Sequence, residues 1–142
     1  GGPSATLNVR DLVEEQKHLL RSTFRLDQKR DAPSSERLSQ MAKAAGDLVT
    51  AARQRYEELQ KKTAGFSLGI IDELFPAAIE SMANSELLMA RELPGETLPF
   101  QQSALTKLVA IEVELAKNQQ KSQGQGQGGG EQQPPPTAQR DQ

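Results

Sequence analysis

Apolar residues recur every three or four positions through most of the chain, and this spacing predicts amphipathic helices. Helix-breaking residues interrupt the pattern at three places, residues 31–33, 65–69 and 93–95. Runs of β-branched residues, which favour strands, are missing between the breaks. We therefore expect an all-α protein with about four helices.

The first predicted helix spans about residues 8–30, and the second begins after a cap at Ser34 or Ser35 and ends near residue 64. Gly46 costs about 1 kcal/mol relative to alanine inside a helix, which indicates close packing against a neighbour. Gly65 is placed to end the helix in a left-handed cap. The expected buried positions are Val9, Leu12, Leu19, Leu20, Phe24 and Leu26, then Leu38, Met41, Ala42, Ala45, Leu48, Val49, Ala52, Tyr56 and Leu59.

Prolines suggest where the last two helices start. Asp72 as an N-cap would place Pro76 in the first turn, where its missing N–H is harmless; the alternatives are a short turn over 68–74 or one helix kinked at Pro76. The fourth helix is expected to open near Thr97, with Pro99 in its first turn, and to end near residue 119. The expected buried positions are Ala78, Met82, Ser85 and Met89, then Leu98, Leu105, Leu108, Val109, Glu112 and Leu115.

Short connections favour antiparallel neighbours, and helices of this length would measure about 40 Å. The predicted fold is thus an elongated antiparallel bundle over residues 5–119. Residues 1–4 resemble a linker or a cloning remnant. Residues 120–142 are rich in Gln, Gly and Pro with almost no aliphatic side chain, so we expect a disordered tail that acts as a spacer.

Composition removes several classes of function. Cysteine is absent and His18 is the single histidine, which excludes thiolate chemistry and multi-histidine sites within one chain. Lys and Arg number 17 against 19 Asp and Glu, so nothing indicates nucleic-acid binding. No apolar run approaches the length needed to cross a bilayer, and we expect no direct membrane insertion.

Titratable side chains form no recognisable catalytic or ligand spacing. His18 is predicted to be a surface or boundary histidine. A metal site would need carboxylate partners, and Glu14 and Glu15 are close in sequence but have no recognised ligand spacing. Paired acids occur at Asp72 and Glu73, at Glu57 and Glu58, and at Glu112 and Glu114, but they alternate with lysines and arginines as solvated helix faces do. We predict no enzyme activity, no cofactor and no metal site.

One apolar stretch stands outside the helical pattern, between the second and third helices. It either plugs one end of the bundle or forms a docking patch with two further phenylalanines. The candidate patch consists of Phe66, Leu68, Ile70, Ile71, Phe75 and Phe100.

Two segments resemble a known family. Residues 73–120 show a helix, a short break and then a Leu-Pro-x-Gln-Gln-x-Ala-Leu pattern, and residues 12–30 resemble the family's repeated helix, with Gln16 and Thr23-Phe24 in matching places. The family is an uncharacterised group of large, helix-rich, membrane-anchored bacterial envelope proteins with Gln/Gly-rich low-complexity sequence. The resemblance implies an envelope-associated scaffold, on the extracytoplasmic side, and supplies no catalytic residues; a cytoplasmic location is the alternative.

Two function classes follow. The first is a non-enzymatic helical protein–protein interaction or scaffold module, whose protein partner the sequence does not identify. The second is a self-assembling coiled-coil structural subunit. Apolar stripes broader than the a and d positions of a heptad favour the first.

Overall fold

The computed structural model describes residues 8–28 and 34–126, with side-chain surroundings up to residue 118. Within these ranges every regular element is a helix, which confirms the all-α prediction. The four helices are α1 (Arg10–Gln28), α2 (Ser35–Lys62), α3 (Ile71–Ala90) and α4 (Pro94–Gly126). Helix α4 continues past its predicted end near residue 119. The predicted linker at 1–4 and the remainder of the predicted tail, 127–142, lie outside the described residues.

The chain divides into two compact units, Gly1–Glu112 and Val113–Gln142. The first holds α1, α2, α3 and most of α4. The described part of the second is the last stretch of α4, where Leu115 is buried and Lys117 Nζ lies 3.4 Å from Glu114 Oε2.

Side-chain contacts within the first unit show that the helices alternate in direction, as predicted. Arg55, late in α2, pairs with Asp11 at the start of α1 at 2.7 Å. Gln101, early in α4, donates to Thr23 near the end of α1 at 3.1 Å. Helix α1 therefore runs antiparallel to both α2 and α4.

Helices α2 and α3 have the closest backbones in the unit. A Cβ atom built on Gly46 would lie 2.6 Å from Glu86 Oε2 on α3, which confirms the predicted close packing of this glycine. Ala45 and Ala52 of α2, with Ala78 and Ser85 of α3, are small and buried. Such residues let two helices approach closely because little side-chain volume separates their backbones.

The predicted N-cap of α2 is confirmed, whereas its C-terminal cap begins one residue earlier than predicted. Ser34 is the N-cap, and its hydroxyl accepts a hydrogen bond from the Arg37 N–H at 3.0 Å. At the other end the C-cap is Thr63 and the first left-handed residue is Ala64, followed by Gly65 with φ +85°, whose N–H donates to the Gln60 carbonyl at 3.2 Å. These bonds satisfy backbone groups that a helix terminus leaves unpaired.

The structure decides between the alternatives for the start of α3 and corrects the start of α4. Helix α3 begins at Ile71 and runs through Pro76, so the alternative of one continuous helix is the correct one and Asp72 is not its N-cap. Helix α4 begins at Pro94 rather than near Thr97, which places Pro99 inside the helix and not in its first turn. Pro94 itself occupies the first helical position, where its fixed φ suits a helix and an N–H is not needed.

The buried faces of α2 and α3 agree with the predicted stripes, whereas those of α1 and α4 agree only in part. Phe24 and Val109 are 49% and 40% exposed, and Leu20, Leu98, Leu105 and Glu112 are only half-buried. The polar side chains buried on these two helices are Gln16, Thr23, Thr97 and Gln101. The fully or almost fully buried apolar side chains are Val9, Leu12, Val13, Leu19, Leu26, Leu38, Met41, Ala45, Leu48, Val49, Ala52, Leu59, Ile71, Phe75, Ala78, Met82, Met89, Ala104, Leu108, Ile111 and Leu115.

Candidate functional site

A groove of about 290 Å³ lies between α1 and α2. Its size is close to the lower end of pockets that receive small ligands or single large side chains. The lining residues are Asp11, Leu12, Glu15, His18 and Leu19 of α1 and Ala44, Asp47, Leu48 and Ala51 of α2. Every one of these residues lies in the first compact unit.

Small side chains on α2 explain why the groove is open. Ala44 is exposed and Ala51 is half-buried, so neither fills the space beside α1. Larger side chains lie deeper, with Leu12, Leu19 and Leu48 almost completely buried. The groove therefore has an apolar floor that is continuous with the bundle core, and two alanines form one of its walls.

Charged side chains line the outer edges of this floor. Glu15 on α1 and Asp47 on α2 are exposed, and Asp47 Oδ2 lies 3.5 Å from Lys43 Nζ. His18 is also exposed. Within the described residues no group of three or more histidine and carboxylate side chains is arranged to hold a metal ion.

Asp11, which lines the groove at the start of α1, forms a two-pronged ion pair with Arg55 of α2. The guanidinium donates to both carboxylate oxygens, at 2.8 and 2.7 Å, and also to the Asn8 carbonyl. These hydrogen bonds lower the pKa of Asp11 and raise that of Arg55. Because this ion pair joins α1 to α2, the contact between the two helices accounts for the pKa changes of both residues.

The predicted docking patch is not a single exposed surface. Phe66 is 79% exposed, Ile70 is half-exposed, and Leu68 is half-buried. Ile71 and Phe75 are completely buried, because α3 begins at Ile71 and points both side chains into the core. These two residues therefore could not contact a partner.

Phe100, the sixth residue of the predicted patch, is half-buried on α4. The alternative prediction, an end plug, is equally incomplete because Phe66 is mostly exposed. The apolar stretch therefore combines core residues with surface residues.

Asp72 fixes the turn before α3, a role that sequence reasoning missed. Its carboxylate accepts the Leu68 N–H at 2.9 Å and the Tyr56 hydroxyl at 2.7 Å. The bond from Leu68, followed by that from Tyr56, lowers the pKa of Asp72. Tyr56 in turn stacks on Phe75 with ring centroids 5.0 Å apart. Asp72 thus holds the turn through both of its carboxylate oxygens.

The Tyr56 hydrogen bond predicts a loss of stability at alkaline pH. Burial first, and then the bond to Asp72, raises the pKa of Tyr56 from 10.0 to about 12. Because the folded state holds this proton more tightly, the stabilisation is complete below pH 10 and is lost as the pH rises towards about 12. We expect the difference in free energy of unfolding between the wild type and Tyr56→Phe to shrink over this range.

Urea denaturation at a series of pH values measures that difference. Tyr56 is the only tyrosine, so tyrosinate absorbance reports its titration directly. A constant difference between the two proteins up to pH 12 would contradict the prediction.

Other predicted carboxylates also have ordinary surroundings. Glu112 Oε2 lies 3.3 Å from Arg10 Nη1, which links α4 to α1. Glu57, Glu58 and Glu73 are exposed. No described helix is both long and apolar enough to cross a bilayer.

The sequence shows the small residues Ala44 and Ala51 in the middle of α2. It does not show that α1 is the helix that lies opposite them.

Comparisons with models of protein families, with curated proteins and with solved structures found no match to this chain. The geometry of the groove is therefore the basis for assigning a function.

Proposed function

We propose that this protein is a non-enzymatic protein–protein interaction module, and that the groove between α1 and α2 receives apolar side chains from a partner helix. The observation that carries this proposal is the open apolar floor of Leu12, Leu19 and Leu48 beside two small alanines. An amphipathic helix presents side chains three or four residues apart and can place them along such a floor.

The chemistry of the groove supports binding rather than catalysis. The perturbed carboxyl at its edge, Asp11, is held by Arg55. A catalytic acid or base needs a proton-transfer path to a substrate, whereas this carboxylate already has both oxygens bonded to a guanidinium. The adjacent side chains, Leu12 and Leu48, offer only apolar contact.

We further propose a scaffold role at the bacterial cell envelope, on the extracytoplasmic side. Its support is the resemblance of residues 12–30 and 73–120 to helix-rich envelope proteins. A cytoplasmic interaction module is the alternative location for the same activity.

Filling the groove should prevent binding without unfolding the protein. In Ala51→Leu the added side chain would occupy the space beside α1, while leucine keeps a high helix propensity. We expect the free energy of unfolding to change by no more than about 0.5 kcal/mol. The measurement is photo-crosslinking in cells of the source organism, with a photoreactive residue at position 44. Adducts formed from this position should be lost in the Ala51→Leu background.

The matched control is Ala83→Leu, which adds the same atoms at a half-buried alanine of α3, away from the groove. This variant should keep the adducts. Adducts that persist in Ala51→Leu would exclude the groove as the binding site. Adducts with twice the mass of the chain would instead support a self-assembling structural subunit.

A further inference from the structure

The groove continues along α1 beyond its apolar centre. A second depression of about 210 Å³ lies between the same helices and is lined by Ser22, Arg25, Leu26 and Arg37. Positions 15, 18, 22 and 25 follow each other at spacings of three or four, so they share one side of α1. The two depressions therefore lie one after the other along the groove between α1 and α2.

The two ends of this groove carry opposite charges. Glu15 and Asp47 flank the first depression, whereas Arg25 and Arg37 flank the second. All four side chains are exposed. Within the described residues Glu15, Arg25 and Arg37 form no ion pair, and Asp47 pairs only with its helix neighbour Lys43. Among the described residues, none on another helix neutralises these four charges.

The separation of the charges fits one class of ligand. From Glu15 to Arg25 the helix rises by about 15 Å, which is nearly three turns. A partner helix in the groove would present three turns of apolar side chains over the same distance. An anionic membrane surface has one sign of charge and complements only the basic end.

We propose that the groove selects an amphipathic partner helix whose charges are segregated, with lysine or arginine beside one end of its apolar stripe and aspartate or glutamate about 15 Å away. This inference rests on the proposed function and adds the charge pattern of the partner. Exposed charges at the edge of an interface contribute mainly to specificity and to the association rate.

Two fluorescent helical peptides of identical composition test the charge pattern. Each has about 20 residues and the same leucine stripe; one has lysines flanking its first half and glutamates flanking its second, and the other alternates the two. Fluorescence anisotropy with the full chain measures binding at about 0.05 M salt, where screening is weak. We expect the segregated peptide to bind about three- to tenfold more tightly.

Glu15→Lys should abolish this preference, because the introduced positive charge offsets that of Asp47 and removes the negative end of the groove. The control is Glu80→Lys, which changes the net charge equally at an exposed position on α3 and should retain the preference. Equal binding of the two peptides to the wild-type chain, or an unchanged preference in Glu15→Lys, would overturn the inference.

Ala51→Leu separates this inference from the proposed function. If both peptides bind equally and Ala51→Leu abolishes binding, the groove binds a helix regardless of its charge pattern. In that case only the inference fails. If neither peptide binds, or if Ala51→Leu leaves binding intact, both the proposed function of the groove and the inference fail.

Discussion

Phe75→Ala is expected to destabilise the protein by about 3–5 kcal/mol, the range typical of removing a fully buried phenylalanine. Phe75 has no exposed surface, and its ring stacks on Tyr56. The truncation would leave a cavity between α2 and α3, where small residues hold the backbones close together. Since typical domains have only about 5–15 kcal/mol of stability, this loss is large.

Phe66→Ala is the matched control, because it removes the same atoms nine residues earlier from a ring that is 79% exposed. Its free energy of unfolding should change by no more than about 0.5 kcal/mol. Urea denaturation followed by circular dichroism measures both variants. Similar losses in the two would show that the apolar stretch plugs the bundle as one unit.

The second large effect is expected at the buried hydrogen bond between α1 and α4. Thr23 and Gln101 are completely buried, and the Gln101 amide donates to the Thr23 hydroxyl. Thr23→Val keeps the shape of the side chain but removes the acceptor. The amide nitrogen of Gln101 then has no partner, and its carbonyl oxygen has none already. We expect a loss of about 1–3 kcal/mol.

Adding Gln101→Leu should recover most of this loss, because no unpaired amide then remains in the core. A double-mutant cycle measured by urea denaturation gives the coupling between the two positions. Simple additivity of the two single changes would show that the hydrogen bond contributes no coupling energy.

The number of helices and the N-cap of α2 were predictable because they depend on local sequence. Ser34 caps its helix through a residue three positions later. The C-terminal end was predicted to within one residue, because Ala64 adopts the left-handed conformation ahead of Gly65. The face of α4 was less predictable, because the sequence pattern followed its leucines and valines. The structure instead buries Thr97 and Gln101, which makes Val109 a surface residue.

The docking patch was mispredicted for a related reason. In a run of consecutive apolar residues the periodicity does not distinguish buried positions from exposed ones. Ile71 and Phe75 lie four residues apart on the inner side of α3, whereas Phe66 and Ile70 belong to the preceding turn.

The groove could not be predicted either, because it depends on which residues of α1 lie opposite the alanines of α2.

The seam between α1 and α4 determines how the bundle can assemble. Helices that follow each other in the chain need only a short loop to meet, but Arg10 and Glu112 are 102 residues apart and Thr23 and Gln101 are 78 apart. Closing such long loops costs more chain entropy than closing a hairpin. We therefore expect the α1–α4 contacts to form after the α1–α2 and α2–α3 hairpins during folding and to separate before them.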